Sequence, residues 1–256
     1  MSQSTLFFIC LLFIACQGKN DDIRNPPTIV AVPLQEFETI KAIPPPEGYE
    51  RITLAQKSFG EWLRAIDLKK DDRVYLYDGS LKKNQSAQFA VLDIPVGKKD
   101  LQQCADAVMR LRAEYLFDQG RYSEIVFRDN NDDPYAWKGK DNKQTFDHYL
   151  QTVFGMCGTA SLEKQLKPVN DWHEIQPGDV FIKGGFPGHT MIVADVAINK
   201  EGKKIFMLAQ SYMPAQDIHI VKNPMNEKIS PWYEETTAGD IVTPEWVFSH
   251  WQLRKW

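Results

Sequence analysis

GDVFIKGGFPGHTMIVADVA, residues 178–197, sets two apolar runs on either side of a glycine-rich loop and opens the second run with a histidine. The runs GDVFI and TMIVADVAI are short, continuous and apolar, the pattern of β-strands. A third run, KIFMLAQSY at 204–212, follows around NKEGKK. Three such runs with short connections fold back on one another as an antiparallel sheet. His189 therefore opens the second strand, a place where an ionisable ring calls for a reason. The small residues of GGFPG leave that ring accessible from one side.

Upstream, helix signals predominate. Ser58 and Glu61 form a capping box for a short helix that buries Phe59, Leu63 and Ile66. Asp100 and Gln103 form a second, before LQQCADAVMRLRAEYLF at 101–117. On that helix Leu101, Cys104, Ala105, Val108, Leu111 and Tyr115 share one stripe, so Cys104 points inward from the first turn. RVYLYDG at 73–79 and QFAVLDIPVG at 88–97 alternate like the arms of a hairpin, YSEIVF reads as a strand, and residues 129–143 read as an exposed loop. TFDHYLQTVFGMCGTASLEKQL at 145–166 reads as helix broken at Gly155 or Gly158. The class is α+β, helices first and then an antiparallel sheet.

The chain has 256 residues, 43% of them hydrophobic, enough for one sizeable core. Its 34 acidic and 30 basic residues are interspersed, which leaves no electrostatic footprint for nucleic acid. The apolar run Leu6–Ala15 is too short to span about 30 Å of hydrocarbon and reads as a secretion leader. FIAC at 13–16 resembles a bacterial lipoprotein box, which implies cleavage after Ala15 and a lipid on Cys16; QGKNDD after it resembles tethers of surface-bound lipoproteins. The proline-rich stretch that follows reads as an extended arm. The expected organisation is a leader at 1–15, a tether at 16–48 and one domain at 49–256, held at the cell envelope, in the periplasm or on the outer surface of the outer membrane.

Cys104 and His189 are the residues with chemistry. Unpaired amides and the positive end of a helix dipole favour a thiolate in the first turn and can also hold an oxyanion. A thiol nucleophile needs a base, and imidazole is the matched side chain. His148, His173 and His250 have no partner signal, and His219 in DIHIV reads as a half-exposed strand residue. A working pair requires the sulfur within about 4 Å of a ring nitrogen.

PGDVFIKGGFPGHTMIVADVAINKEGKKIFMLAQS resembles the histidine half of CHAP and NlpC-type cysteine peptidases, and QCADAVMRL resembles their cysteine half. Across the domain the chain also resembles a family of bacterial lipoproteins of unassigned function. The resemblance implies a papain-like core with a Cys-bearing helix packed on the antiparallel sheet, Cys104 as nucleophile, His189 as base, and a third residue that holds the imidazole. Gln210 is the first candidate for that place and Ser211 the second. A two-residue turn at Glu201 and Gly202 would set Pro214 opposite His189 and leave Gln210 about 13 Å away along the strand, so a bulge or a moved turn is required.

The implied function is a thiol hydrolase, an amidase or peptidase, acting on a peptide or peptidoglycan stem without a cofactor. Two alternatives stand beside it: a non-catalytic binding or assembly lipoprotein, and a transglutaminase-like enzyme, which would want an aspartate near position 210. Cys104 and Cys157 could also be joined as a disulfide. Neither CxxC nor HExxH is present, so no metal site is expected. In the tail, Trp232, Tyr233, Trp246, Phe248, Trp251 and Trp256 are expected to close the core, with stacking on sugar rings as the alternative.

Overall fold

The nine-stranded antiparallel sheet is the backbone of the molecule, and its centre is the segment around His189. The computed structural model describes residues 37–235 and 239–256. The leader, Cys16 and the tether as far as residue 36 lie outside the described residues. In chain order the elements are β1 (Tyr49–Arg51), α1 (Phe59–Arg64), β2 (Gln88–Val91), α2 (Cys104–Asp118), β3 (Val126–Arg128), β4 (Pro134–Ala136), α3 (Lys143–Met156), α4 (Thr159–Gln165), β5 (Lys167–Pro168), β6 (Val180–Lys183), β7 (His189–Asn199), β8 (Lys204–Gln210), β9 (His219–Val221), β10 (Trp232–Glu234), β11 (Asp240–Val242), β12 (Val247–Ser249) and β13 (Leu253–Lys255). The main sheet runs β2-β9-β8-β7-β6-β13-β5, with β1 also pairing β7 and β10 also pairing β8.

The continuous apolar runs of β6, β7 and β8 follow from cover on both sides of the sheet. Ile192, Ala194 and Ala197 of β7, with Ile205, Met207 and Ala209 of β8, join the core that holds Leu63 of α1 and Val108 and Leu111 of α2. Met191, Val193, Val196, Phe206 and Leu208 face the other way, into a layer with Trp172, Tyr233 and Phe248. The tail aromatics Trp232, Tyr233 and Phe248 are buried, so they close the core. Trp251 remains exposed.

The hairpin joining β7 and β8 departs from a two-residue turn in two places. Asn199 donates its amide to Lys203 O across a three-residue loop whose last member, Gly202, has φ of 83°. Further along, the ladder passes from Asp195↔Met207 to Val193↔Leu208, a bulge that lets two neighbouring β7 residues face the helices. Each irregularity shifts the register by one residue. Together they set Tyr212 level with His189, with Gln210 just inside it on the same face.

Asp195, fully buried at the bulge, receives Arg51 Nε and Arg64 Nε, each at 2.6 Å, and so ties β1 and α1 to the central strand. The folded part begins earlier than Tyr49: Ile40 and Ile43 are buried in the core, and the amide of Ile40 reaches Ile66 O. Residues 40–43 bury apolar side chains despite the prolines that follow, so the tether cannot extend to residue 48. The hairpin expected between residues 73–79 and 88–97 does not form; Gln88–Val91 pairs instead with β9, and Tyr75 bridges Leu81. Alternation alone does not name a strand's partner. The break in the second helical region falls at Cys157 and Gly158, between α3 and α4.

Candidate active site

Cys104 is the first residue of α2, with Gln103 as N-cap; the Gln103 amide is received by Asp106 Oδ2 at 3.0 Å. Asp100 does not cap this helix: its Oδ1 accepts from Gln103 Nε2 and from the amide of Ala215, which pins the approach to the helix against the segment after β8. Cys104 is half-buried, and the backbone amides of Ala105, Thr190 and Cys104 itself act on its sulfur in the direction that favours the thiolate. Amides of the first helical turn have no partner within the helix, so they are free to point there. The Thr190 amide comes from β7 just beyond its last rung with β8, where the two strands part.

Burial is the largest influence on this thiol and pushes it up to about 11, opposed by the amides of Ala105 and Thr190 and reinforced by the Asp106 charge. A thiolate poised below pH 8, as the helix terminus led one to expect, is therefore absent at rest: desolvation outweighs the amide dipoles. Cys157, the C-cap of α3, is also pushed up by burial, to about 12. Both thiols are free, so the alternative of a Cys104–Cys157 disulfide is not realised.

His189 is only 2% exposed, which corrects the expectation of an open ring beside GGFPG. Its side chain lies on the face away from α2, covered by Tyr212, Trp246 and Phe248 with ring centroids 4.7, 5.1 and 5.9 Å away. The loop instead holds Phe186 out in solvent at 99% exposure, and the added Cβ of any residue at 188 would lie 2.3 Å from Gly185 O. Burial lowers the His189 ring to about 4, with the Gln210 contact opposing and the Lys82 charge assisting.

His189 Nε2 lies 2.8 Å from Gln210 Oε1, so the third candidate and the presumed base are brought together. Ser211 is not part of this contact: its hydroxyl is buried between the carbonyls of Gln102 and Gln216, at 2.8 and 2.9 Å, where it joins the start of α2 to the end of β8. Parity along β8 turns it to the opposite face. A glutamine rather than an aspartate meets His189, which removes the feature wanted for the transglutaminase-like alternative. Cys104 and His189 share no hydrogen bond among the described residues; the sulfur reaches the backbone of the residue following His189.

Four participants were not legible in the sequence. Gln210 Nε2 lies 2.9 Å from Glu245 Oε2 and 3.2 Å from Nε2 of His219. Glu245 in turn receives Lys82 Nζ at 2.5 Å and Asn84 Nδ2 at 3.1 Å. His219 is fully buried, not half-exposed, with Nδ1 2.9 Å from Asp217 O; burial first, then Lys82, lowers it to about 3. Glu245 lies in TPEWVF and Lys82 in SLKKN, neither carrying a motif. The only hint was that both flank apolar residues in otherwise polar connections.

Among the described residues no group of three or more His, Cys, Asp or Glu side chains is placed to hold a metal ion, and no helix is long and apolar enough to cross a membrane. A family profile described as Domain of unknown function (4846) matches residues 40–140 and 134–255, and the chain belongs to that family. No curated protein and no solved structure matches it.

Proposed function

We propose that this member of the family is a thiol hydrolase, an amidase or peptidase on a papain-like core, of the kind its resemblance to CHAP and NlpC-type peptidases implies. The observation that carries the reading is the junction at the start of β7: the Thr190 backbone lies close enough to the Cys104 sulfur to oppose its upward shift, while the preceding residue, His189, is held by Gln210 at 2.8 Å. In this chemistry His189 takes the thiol proton as sulfur adds to the amide carbonyl. The resulting oxyanion is held by amides at the α2 terminus, that of Cys104 included. Collapse expels the amine, which takes the proton from the imidazolium; water then adds to the thioester, returns a carboxylate and restores the thiol.

Burial holds the Cys104 thiol up and the His189 ring down, which favours proton transfer that accompanies attack over a pre-formed ion pair. The FIAC box supports attachment to the envelope through Cys16, where peptidoglycan stem peptides are the substrate within reach. The test is release of new amine and carboxylate ends from muropeptides by the full chain, with Cys104→Ser as control. Turnover that survives this change overturns the reading.

A second reading is favoured by one specific observation, the lack of a direct Cys104–His189 hydrogen bond in a site where burial neutralises both groups. Under it the protein is a binding or assembly lipoprotein that keeps the scaffold. Stoichiometric binding of stem peptides without cleavage supports this second reading.

A further inference from the structure

We infer that Glu245 and His219 are positioning residues that act through Gln210 to decide which nitrogen of His189 is the base, an inference that rests on the thiol-hydrolase reading. The argument begins at His219. Its Nδ1 lies 2.9 Å from Asp217 O, and a carbonyl can only accept, so Nδ1 carries the proton and the neutral ring presents a bare Nε2. That bare nitrogen lies 3.2 Å from the Gln210 side-chain nitrogen, and Glu245 Oε2, also an acceptor, lies 2.9 Å from it. Lys82 and Asn84 both donate to Glu245 and hold it oriented.

Two acceptors thus claim the two hydrogens of one amide. Turning the Gln210 amide over would set its carbonyl against a carboxylate and a bare imidazole nitrogen, an arrangement without a proton to share. The carbonyl Oε1 is therefore fixed toward His189, 2.8 Å from Nε2, and Nε2 must donate. Nδ1 is left bare, and it makes no hydrogen bond among the described residues. A neutral glutamine in this way does the orienting work that a carboxylate or asparagine could do alone, because its direction is set from behind. The groups that carry or can carry charge around His189 and its partners are Lys82, Glu245, His219 and Tyr212, with Lys183 its cross-strand partner on β6.

The test is the tautomer itself, read by long-range proton–nitrogen correlation on the full chain labelled with ¹⁵N-histidine. Native protein is expected to show His189 protonated at Nε2 and bare at Nδ1. Removing both directing acceptors, in Glu245→Ala with His219→Phe, is expected to let both tautomers be populated. Adding Gln210→Glu to Glu245→Ala is expected to restore a single Nε2–H form, since a carboxylate accepts in either direction; this also covers the case in which the double variant does not fold. A native Nδ1–H form overturns the inference, as does a single tautomer in the folded double variant. The measurement needs no turnover: the expected tautomer in a protein that cleaves nothing leaves this inference standing and removes only the hydrolase.

Discussion

Nε2 of His189 stands 2.8 Å from Oε1 of Gln210, although a simple hairpin between their strands would separate them by four residues. The contact exists because the turn gains one residue at Gly202 and β7 gains one at the bulge beside Ala194. Ser211, the neighbouring candidate, is turned to the other face and bonds Gln102 O and Gln216 O. The two residues therefore have separable roles.

Under the proposed thiol-hydrolase function, Gln210→Ala is expected to lower hydrolysis on the order of 10²-fold or more, since His189 loses the partner that holds its ring. Ser211→Ala is expected to cost about 1 kcal/mol of stability through one lost hydroxyl hydrogen bond, with the pH profile of activity unchanged. Rates over pH and urea midpoints distinguish the two; a moved profile in Ser211→Ala would return it to the site.

Iodoacetamide labelling of Cys104 in the native reduced protein is expected to be slow at pH 7 and to rise only under alkaline conditions, because burial holds the thiol up to about 11. Cys157, held up to about 12, should label no faster. In urea both should react as ordinary thiols. Rapid native labelling at neutral pH would show that the site opens far more than its burial indicates.

Asp179 gives a stability effect of opposite sign to the histidines. Burial raises its carboxyl to about 7, so from about pH 4 upward the unfolded chain releases a proton that the native state keeps, and stability falls as pH rises to 7. His189 and His219 are lowered to about 4 and about 3, so the unfolded chain takes up protons below its ordinary value near 6.5 while the native state refuses them, and stability falls as pH drops toward 4. The trends oppose one another between pH 4 and 6.5. Asp179→Asn retains an oxygen for the Gln176 amide and should raise stability at pH 8 by up to roughly 3 kcal/mol, little at pH 4, leaving the acid slope of the histidines exposed. Urea melts at several pH values measure this; destabilisation at pH 8 would contradict it.

Asp195→Ala is expected to destabilise the fold by about 3–5 kcal/mol, since it strands Arg51 and Arg64 without their shared carboxylate. Denaturant unfolding gives the value. A loss below about 1 kcal/mol would mean that water reaches the arginines and satisfies them.

Under the proposal that FIAC is a lipoprotein box, Cys16→Ser is expected to release the protein from membranes or to block its processing, since a cleaved leader could not anchor the mature chain. Fractionation of cells reads the outcome, and unchanged membrane retention with a cleaved leader would point to a different anchor.

The sequence by itself determined the elements whose causes are local. Apolar continuity named β6, β7 and β8, and a run of inward-facing residues named the helix that holds Cys104, although it starts at Cys104 and not near residue 101. Paired glycines marked the loop before His189, and parity along β8 put Gln210 on the correct face. Tertiary structure alone decided the rest. Whether the His189 ring is open or buried depended on Trp246 and Phe248, more than fifty residues downstream. The polar support of Gln210 came from Glu245, Lys82, Asn84 and His219, spread over two connections and one strand far apart in the chain. The direction of the Cys104 shift was misread for the same reason. A helix terminus is a local feature whose dipole can be read from the chain, whereas desolvation is the sum of everything that packs against the sulfur, and in a low-dielectric interior that sum is the larger effect.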